Sequence, residues 1–399
     1  MRILLVSPHY YPERFSVTDI AESFVRLGHE VSVITNKPNY GYQRILEEYK
    51  HVKYEEINGV KVHRVNVKPR KFSRISIIFN YLSFNINGKR FARHFKEEFD
   101  VVLSISLSPV ISISPALVYA RKHKVPCVLY CQDLWPESTL VTYAVRKNSL
   151  MYKILYKWSK AIYQKCDRIV ISSPSFKEYF EKELNIKDKV FNVVNQPILL
   201  STKHSEPIVY KNKHNLVYAG NIGKLQLTDL LVEAMKYVKT PDVKLHLMGM
   251  GSELPQIKEK ISNEHLEEKV IYEGAYPIEK AEAYYVNADA LVASLKNEGY
   301  VGKTIPNKAI QYMKYARPLL VIAKGDTYDM LSKAKGSVFA TEDPKDIARA
   351  IDELCESKEK DHLGLNNKKY FEENFQTEKL TQLLVDELIS AKKRSIDSA

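Results

Sequence analysis

The stretch SLKNEGYVGKTIPNKAIQYM, Ser294–Met313, decides the fold. It continues an apolar run, Ala288–Leu295, with the length and composition of a buried strand. The run empties into a polar loop carrying Glu298, Gly299 and Gly302, and the chain enters a helix at Thr304–Pro306. Pro306 is expected in the first helical turn, where its missing N–H costs nothing. Thr304 and Asn307 can offer side-chain hydrogen bonds there, and Lys303 and Lys308 add charge. The N–H groups and dipole of such a turn favour an anion, and Glu298 supplies a carboxylate just upstream. Taken alone, the segment reads first as an ordinary capped helix after a strand, because such helix starts are common.

The same rhythm repeats on both sides of it. Strands are expected at Arg2–Val6, Val31–Thr35, Val60–Val67, Val101–Ile105, Val125–Cys131, Arg168–Ser172 and Val190–Val194, separated by helices such as Ser16–Leu27, Ser73–Phe95 and Met151–Lys165. Asn195–Pro207, with two prolines and a polar run, breaks the rhythm and reads as a linker. The alternation restarts with strands at Asn215–Ala219, Val243–Met248, Val270–Tyr272, Ala290–Ser294, Pro318–Ala323 and Ser337–Ala340. This pattern predicts two doubly wound α/β halves with parallel sheets. Ligands of such sheets bind beyond the carboxyl ends of the strands, which for two facing domains means a cleft. The predicted bounds are 1–198, 199–375 and a last helix, 376–399, packing back on the first half.

Composition narrows the class. The chain has 399 residues, 45% of them apolar, enough for real cores. No run approaches the ~20 apolar residues of a spanning helix, and the N-terminus reads as a first strand, not a signal peptide. Cys127, Cys131, Cys166 and Cys355 fit no common zinc spacing and are expected to be reduced and buried. The net charge is +12, all of it in the first half, where residues 1–200 carry 31 Lys and Arg against 18 Asp and Glu. Ile57–Lys96 holds ten bases and no acid, and Ser138–Cys166 holds six and none. Both tracts are interleaved with Ile, Leu, Phe and Tyr in helical segments. That suits an anionic bilayer surface better than nucleic acid. Arg70, Lys71, Arg74, Arg90 and Arg93 are the expected membrane-facing residues.

Several strand ends carry candidate chemistry. AGNIGKLQ, Ala219–Gln226, brings Gly220, Asn221, Lys224 and Gln226 to the start of a helix, and MGMG, Met248–Gly251, brings Gly249 and Gly251 to the same rim. Glycines here could let N–H groups approach phosphate, or could simply make strand–helix turns. In the first half, CQDLWPES ends a strand with Asp133 and Glu137. Asp133 is a candidate base or hydroxyl-orienting group, or the cap of the following turn. SPHYYPE, Ser7–Glu13, offers His9 and Glu13 on the acceptor side.

These residues carry a resemblance. SPHYYPE, GHEVSVIT (Gly28–Thr35), QDLWPES (Gln132–Ser138), KCDRIVISS (Lys165–Ser173), AGNIGKLQ, ADALVASLK (Ala288–Lys296) and TIPNK (Thr304–Lys308) are together similar to a family 4 glycosyltransferase of the GT-B fold, two Rossmann-like domains across a cleft. The branch resembled is the bacterial O-antigen and capsule group that includes N-acetyl-L-fucosaminyltransferases. The resemblance implies a retaining transfer from a UDP-sugar, without a required metal or other cofactor, to a polyprenyl-diphosphate-linked saccharide. The basic apolar tracts Ile57–Lys96 and Ser138–Cys166 suit a peripheral place at the cytoplasmic face of the inner or plasma membrane, which fits such a lipid-linked acceptor. The resemblance puts the base near Tyr276 and Pro277, the diphosphate at Asn221–Gln226 and Thr304–Lys308, and the sugar toward Glu298. Catalytic roles fall to Asp133 and Glu298. Retention is drawn in this fold as a front-face reaction in which the leaving phosphate accepts the acceptor's proton. Asp133 then orients the acceptor or steadies the charge on the sugar ring. Asn221 and Gln226 stand where the family's diphosphate-binding Arg and Lys are usual, and Gln311 where its second glutamate would fall. Lys224, Lys303 or Lys308 is expected to supply the missing charge. Two rival classes remain at this stage: a GT-B UDP-sugar 2-epimerase, which has no use for a basic apolar face, and a nucleic-acid-binding protein, prompted by the pI of about 9.1.

Overall fold

The computed structural model describes residues 1–397 apart from 14, 72, 107, 142–144, 198–205 and 276–277. The chain divides into two compact units, Met1–Leu199 together with Thr377–Ala399, and Leu200–Gln376.

Unit 1 runs β1 (Arg2–Val6), α1 (Ser16–Arg26), β2 (Glu30–Asn36), β3 (Tyr54–Ile57), β4 (Val60–Val65), α2 (Arg74–His94), β5 (Val101–Ser106), α3 (Ser114–His123), β6 (Cys127–Cys131), α4 (Glu137–Val141), α5 (Leu150–Tyr163), β7 (Arg168–Ile171), α6 (Ser175–Glu178) and β8 (Phe191–Val193). Its strands form one sheet in the order β3-β4-β2-β1-β5-β6-β7-β8. All neighbours are parallel except β3, which pairs antiparallel with β4. The strands are runs of Val, Ile and Leu because a parallel sheet is covered on both faces. Leu4, Val6, Ile34, Phe84, Val102 and Tyr119 pack in one core between sheet and helices.

Unit 2 repeats the plan with β9 (His214–Ala219), α7 (Thr228–Ala234), β10 (Val243–Met248), α8 (Leu254–Asn263), β11 (Val270–Gly274), α9 (Ile278–Tyr285), β12 (Ala290–Ser294), α10 (Asn307–Met313), β13 (Leu319–Ile322), α11 (Gly325–Ala334), β14 (Ser337–Phe339), α12 (Pro344–Glu356) and α13 (Lys360–Asn374). Its sheet is all parallel, in the order β11-β10-β9-β12-β13-β14. Helix α12 shows how local sequence places an element. Asp343 accepts from the N–H groups of Lys345 and Asp346, both at 3.0 Å, Pro344 occupies the first turn, and Ile347, Ile351 and Leu354 face the core.

In each sheet the chain order reverses beside the first strand of the unit, between β1 and β5 and between β9 and β12. Loops at the carboxyl ends there are where ligands of such sheets bind. The last helix, α14 (Thr377–Asp397), belongs to unit 1. It buries Leu380, Leu384 and Leu388, and Glu387 takes an ion pair from Arg168 and a 2.6 Å bond from Asn192.

Two expectations need correction. Pro306 does not sit in the first turn of a helix: its ψ of 140° is extended, it precedes α10, and no side chain caps that helix. The Thr304 hydroxyl instead donates to the Val301 carbonyl at 2.9 Å. Strand β3, absent from the sequence reading, forms a hairpin with β4 through Asn58 and Gly59, both at positive φ as a tight two-residue turn requires. Much of the expected linker lies outside the described residues.

Candidate active site

The rim of unit 2 is built on two loops locked together. The Gly220 N–H donates to the Met248 carbonyl and the Ile222 N–H to Met250, each at 2.9 Å, while Gly249 donates to Gly274 at 2.9 Å. A Cβ on Gly249 would stand 1.8 Å from the Gly220 oxygen, and one on Gly251 2.0 Å from the Ile222 oxygen. Gly249 and Gly251 are thus required by loop-on-loop packing. The N–H groups of Gly220 and Ile222 are spent inside the protein, which for these two groups fits the strand–helix turn of the two readings. Asn221 donates to Gln226 at 3.0 Å, and Lys224 is exposed in the turn between them.

Helix α10 is keyed to the end of β9. The Tyr312 hydroxyl donates to the Ala219 carbonyl at 2.9 Å and accepts from the Ala219 N–H at 3.0 Å. One turn earlier on the same face, the Lys308 nitrogen lies 3.9 Å from the centroid of the Tyr218 ring, and 3.8 Å from where a Cβ on Gly220 would be. It is buried and has no hydrogen-bond partner among the described residues. Burial pushes its pKa down to about 7. The Asn307 side-chain oxygen is also buried without a partner there. Buried polar groups are nearly always paired, so unpaired ones point to a missing ligand or water.

The other expected donor residues have partners of their own. Lys303 holds its nitrogen 5.1 Å from the Tyr300 ring centroid, and its backbone packs on Gly325. Glu298 forms a 2.8 Å ion pair with Lys296, both partners more than a third exposed. An exposed pair is worth at most about 1 kcal/mol, so a hydroxyl-rich ligand can displace it cheaply. Lys296 is tied by its N–H to the Leu225 carbonyl at 2.8 Å, which joins the Glu298 loop to the loop after β9. Gln311 lies beside Tyr315. Tyr276 and Pro277 lie outside the described residues.

On the rim of unit 1, His9 and Glu13 are both buried, and the His9 Nδ1 bonds to Glu13 at 2.6 Å. The other Glu13 oxygen accepts the N–H groups of Asn39 and Tyr40 at 2.6 and 2.7 Å. Phe15 stacks on the imidazole and Tyr40 meets it edge-on. The ring is therefore held on three sides. Beyond β6, half-buried Asp133 accepts from the Leu134 N–H and the hydroxyls of Ser108 and Ser138. Burial outweighs these donors and raises its pKa to about 7. Ser108 adopts a φ of 96°, a conformation that costs a non-glycine residue energy and clusters at functional sites. Glu137 is buried and bonded by the Tyr152 hydroxyl, and burial raises its pKa. It reads as a support for α5. Ser108, Ser138, Tyr40 and Phe15 were not singled out in the sequence, since their only signal is position in loops at strand ends.

The start of α2 follows β4, and α5 follows the Asp133 loop, so both helices begin at this rim. Ile75, Ile78, Phe79 and Ile86 of α2, and Leu150, Met151 and Ile154 of α5, are more than half exposed. Exposed bases stand with them: Lys71, Arg74, Arg90, Arg93, Lys153 and Lys157. Arg70 differs, being half-buried with its guanidinium over Tyr40 and Tyr81 and bonded to the Tyr81 hydroxyl. No described helix is long and apolar enough to cross a membrane.

Comparison with known proteins matches these two units separately. Residues 15–198 match the family model described as Glycosyltransferase Family 4, and residues 213–357 the one described as Glycosyl transferases group 1. The chain is 25% identical over 269 residues to the probable glycosyltransferase WbjE of Pseudomonas aeruginosa, covering 64% of this chain and 66% of that one, just under two thirds. Sucrose-phosphate synthase from Thermosynechococcus elongatus superposes with a TM-score of 0.76 at 17% identity, over 98% of this chain and 99% of that one. HepE of Anabaena, solved with UDP-glucose, superposes with a TM-score of 0.71 at 12% identity, over 98% and 100%. The chain has the GT-B fold, with unit 1 matching the Glycosyltransferase Family 4 model and unit 2 the Glycosyl transferases group 1 model.

Proposed function

We propose that this protein transfers a sugar from a UDP-sugar, with retention and without a metal, to a saccharide carried on a polyprenyl diphosphate in capsule or O-antigen assembly. The observation that carries the donor half is Lys308, whose buried nitrogen lies beside the loop after β9 and has no hydrogen-bond partner among the described residues. Breaking the anomeric C–O bond puts negative charge on the leaving diphosphate, and a fixed cation in a dry site stabilises it strongly. UDP and UDP-glucose in the HepE structures support the nucleotide. Glu298 then holds the sugar, and Asp133 orients the acceptor hydroxyl, whose proton passes to the leaving phosphate. An N-acetylated deoxy-hexosamine such as N-acetyl-L-fucosamine is the donor sugar that the O-antigen branch suggests.

The acceptor half rests on the exposed apolar stripes of α2 and α5 and the bases around them. Each base near an anionic leaflet is worth about 1 kcal/mol, so several together hold unit 1 at the cytoplasmic face of a membrane.

A panel of nucleotide sugars, scored by thermal stabilisation and then by turnover with a lipid-linked acceptor, tests the reading. A bound donor raises apparent stability by mass action. UDP-sugars should do so, and turnover should need the acceptor. No stabilisation by any nucleotide sugar would sink the donor assignment, and conversion of the donor without acceptor would make the protein a 2-epimerase. Co-sedimentation with anionic vesicles should occur at low salt, fall as salt rises, and vanish when Lys71, Arg74, Arg90 and Arg93 are replaced by Glu. Wild-type protein left in the supernatant at low salt would remove the membrane from the proposal.

A further inference from the structure

An ammonium sealed from water without a partner is among the most costly features a fold can carry, and proteins commonly relieve it by giving up the proton. Lys308 is in that position. From β9 it faces the ring of Tyr218, whose hydroxyl is turned away to the Asn221 carbonyl at 2.6 Å. From the loop after β9 it faces Gly220, where the absent side chain leaves room beside the nitrogen. Tyr312, one turn on along α10, has its hydroxyl committed to Ala219. Burial alone moves the titration of Lys308, to about 7, and no carboxylate or second cation of the described residues acts on it. An aromatic face favours the charged form only modestly. A bound diphosphate would favour it far more.

We infer that Lys308 is a neutral amine in a large share of empty molecules and takes a proton from solvent when a nucleotide diphosphate binds, so that donor binding is coupled to proton uptake. The amine becomes an ammonium, and no other bond is made or broken. The inference rests on the donor-binding reading above and goes beyond it, because an Arg in this place would bind the same ligand with no proton exchanged.

Calorimetric titration of the full chain with UDP at pH 8, in HEPES and in Tris, reads the proton directly. The nucleotide's own phosphates are fully ionised there, and the two buffers differ in ionisation enthalpy. The expected result is a buffer-dependent heat that reports net proton uptake on binding UDP, because burial holds the Lys308 amine below its ordinary range. Lys308→Arg should bind UDP within roughly tenfold of wild type with no proton uptake, and Lys308→Met should lose about tenfold or more in affinity. Wild-type UDP binding with equal heats in both buffers overturns the inference while leaving the donor site intact. Uptake that persists in Lys308→Arg assigns the proton to another group and also overturns it. If UDP does not bind wild-type protein at all, the donor-binding reading falls, and the inference with it.

Discussion

The two rims hold their charges in opposite ways. In unit 1 the ionisable groups are already held: His9 by Glu13, Glu13 by two backbone N–H groups, Glu137 by Tyr152, and Asp133 by two serines and an N–H. In unit 2 the buried nitrogen of Lys308 has no hydrogen-bond partner among the described residues. A rim whose charges are satisfied is suited to neutral hydroxyls, which need orientation and little compensation. A rim with an unsatisfied cation is complete only with an anion present. The contrast agrees with the proposal that unit 1 takes the acceptor and unit 2 the donor.

Substitutions can break that contrast. The largest effect is expected at Asp133. Asp133→Asn keeps the shape and an acceptor atom, and should lower turnover by about a hundredfold or more, the range for a positioned acid–base group. UDP affinity should not move. A parallel loss of UDP affinity would put Asp133 on the donor side and undo the comparison. Next comes Glu13→Ala, which leaves the N–H groups of Asn39 and Tyr40 without their acceptor and His9 without its partner. A loss of about 3 kcal/mol in chemical unfolding is expected, and a loss under about 1 kcal/mol would show that the His9 cluster is not preorganised. Gly249→Ala drives a Cβ into the Gly220 oxygen and should cost roughly 1–3 kcal/mol, with weaker UDP binding. Unchanged UDP affinity would separate the loop packing from the site.

Smaller effects follow from pH and surface. Asp133 has a folded pKa near 7, above the ordinary carboxylate value. The unfolded chain therefore holds fewer protons between about pH 4 and 7, and the contribution of this group to stability falls as pH rises through that window. The difference between wild type and Asp133→Asn should trace that fall; a flat difference would mean that solvent reaches the carboxylate freely. Smallest of all, Ile78→Glu with Phe79→Glu should change stability by no more than about 0.5 kcal/mol while abolishing vesicle binding. A large destabilisation would mean that the α2 stripe packs against protein.

The alternation of strands and helices was legible because buried parallel strands read as short apolar runs, as Leu319–Ile322 does. Tyr54–Ile57 was missed because an edge strand with Glu55 and Glu56 has no such run; Asn58-Gly59 was its one visible signal. Pro306 was misplaced by a single step, since a proline fits equally before a helix and inside its first turn. Asp133 and Lys308 could be named from their places at strand and helix ends. Their surroundings could not: Ser108 reaches Asp133 from a different strand's loop, and Tyr218 reaches Lys308 across about half of unit 2 in sequence. The exposed stripe on α2 was readable as apolar spacing. Which face stays uncovered depends on Tyr81 and Phe84 packing inward, which only the tertiary structure decides.

Helix α14 has a consequence for the order in which the molecule can be completed. Its residues are made after both sheets, yet they finish the unit that was begun first. A growing chain possesses every strand of both sheets before it possesses Glu387, so Arg168 waits for its partner through the making of the whole second unit. Lys392 likewise reaches back to Asp100 at 2.7 Å. Unit 2 is an insertion that can settle while it emerges, whereas unit 1 stays open along one flank until α14 closes it.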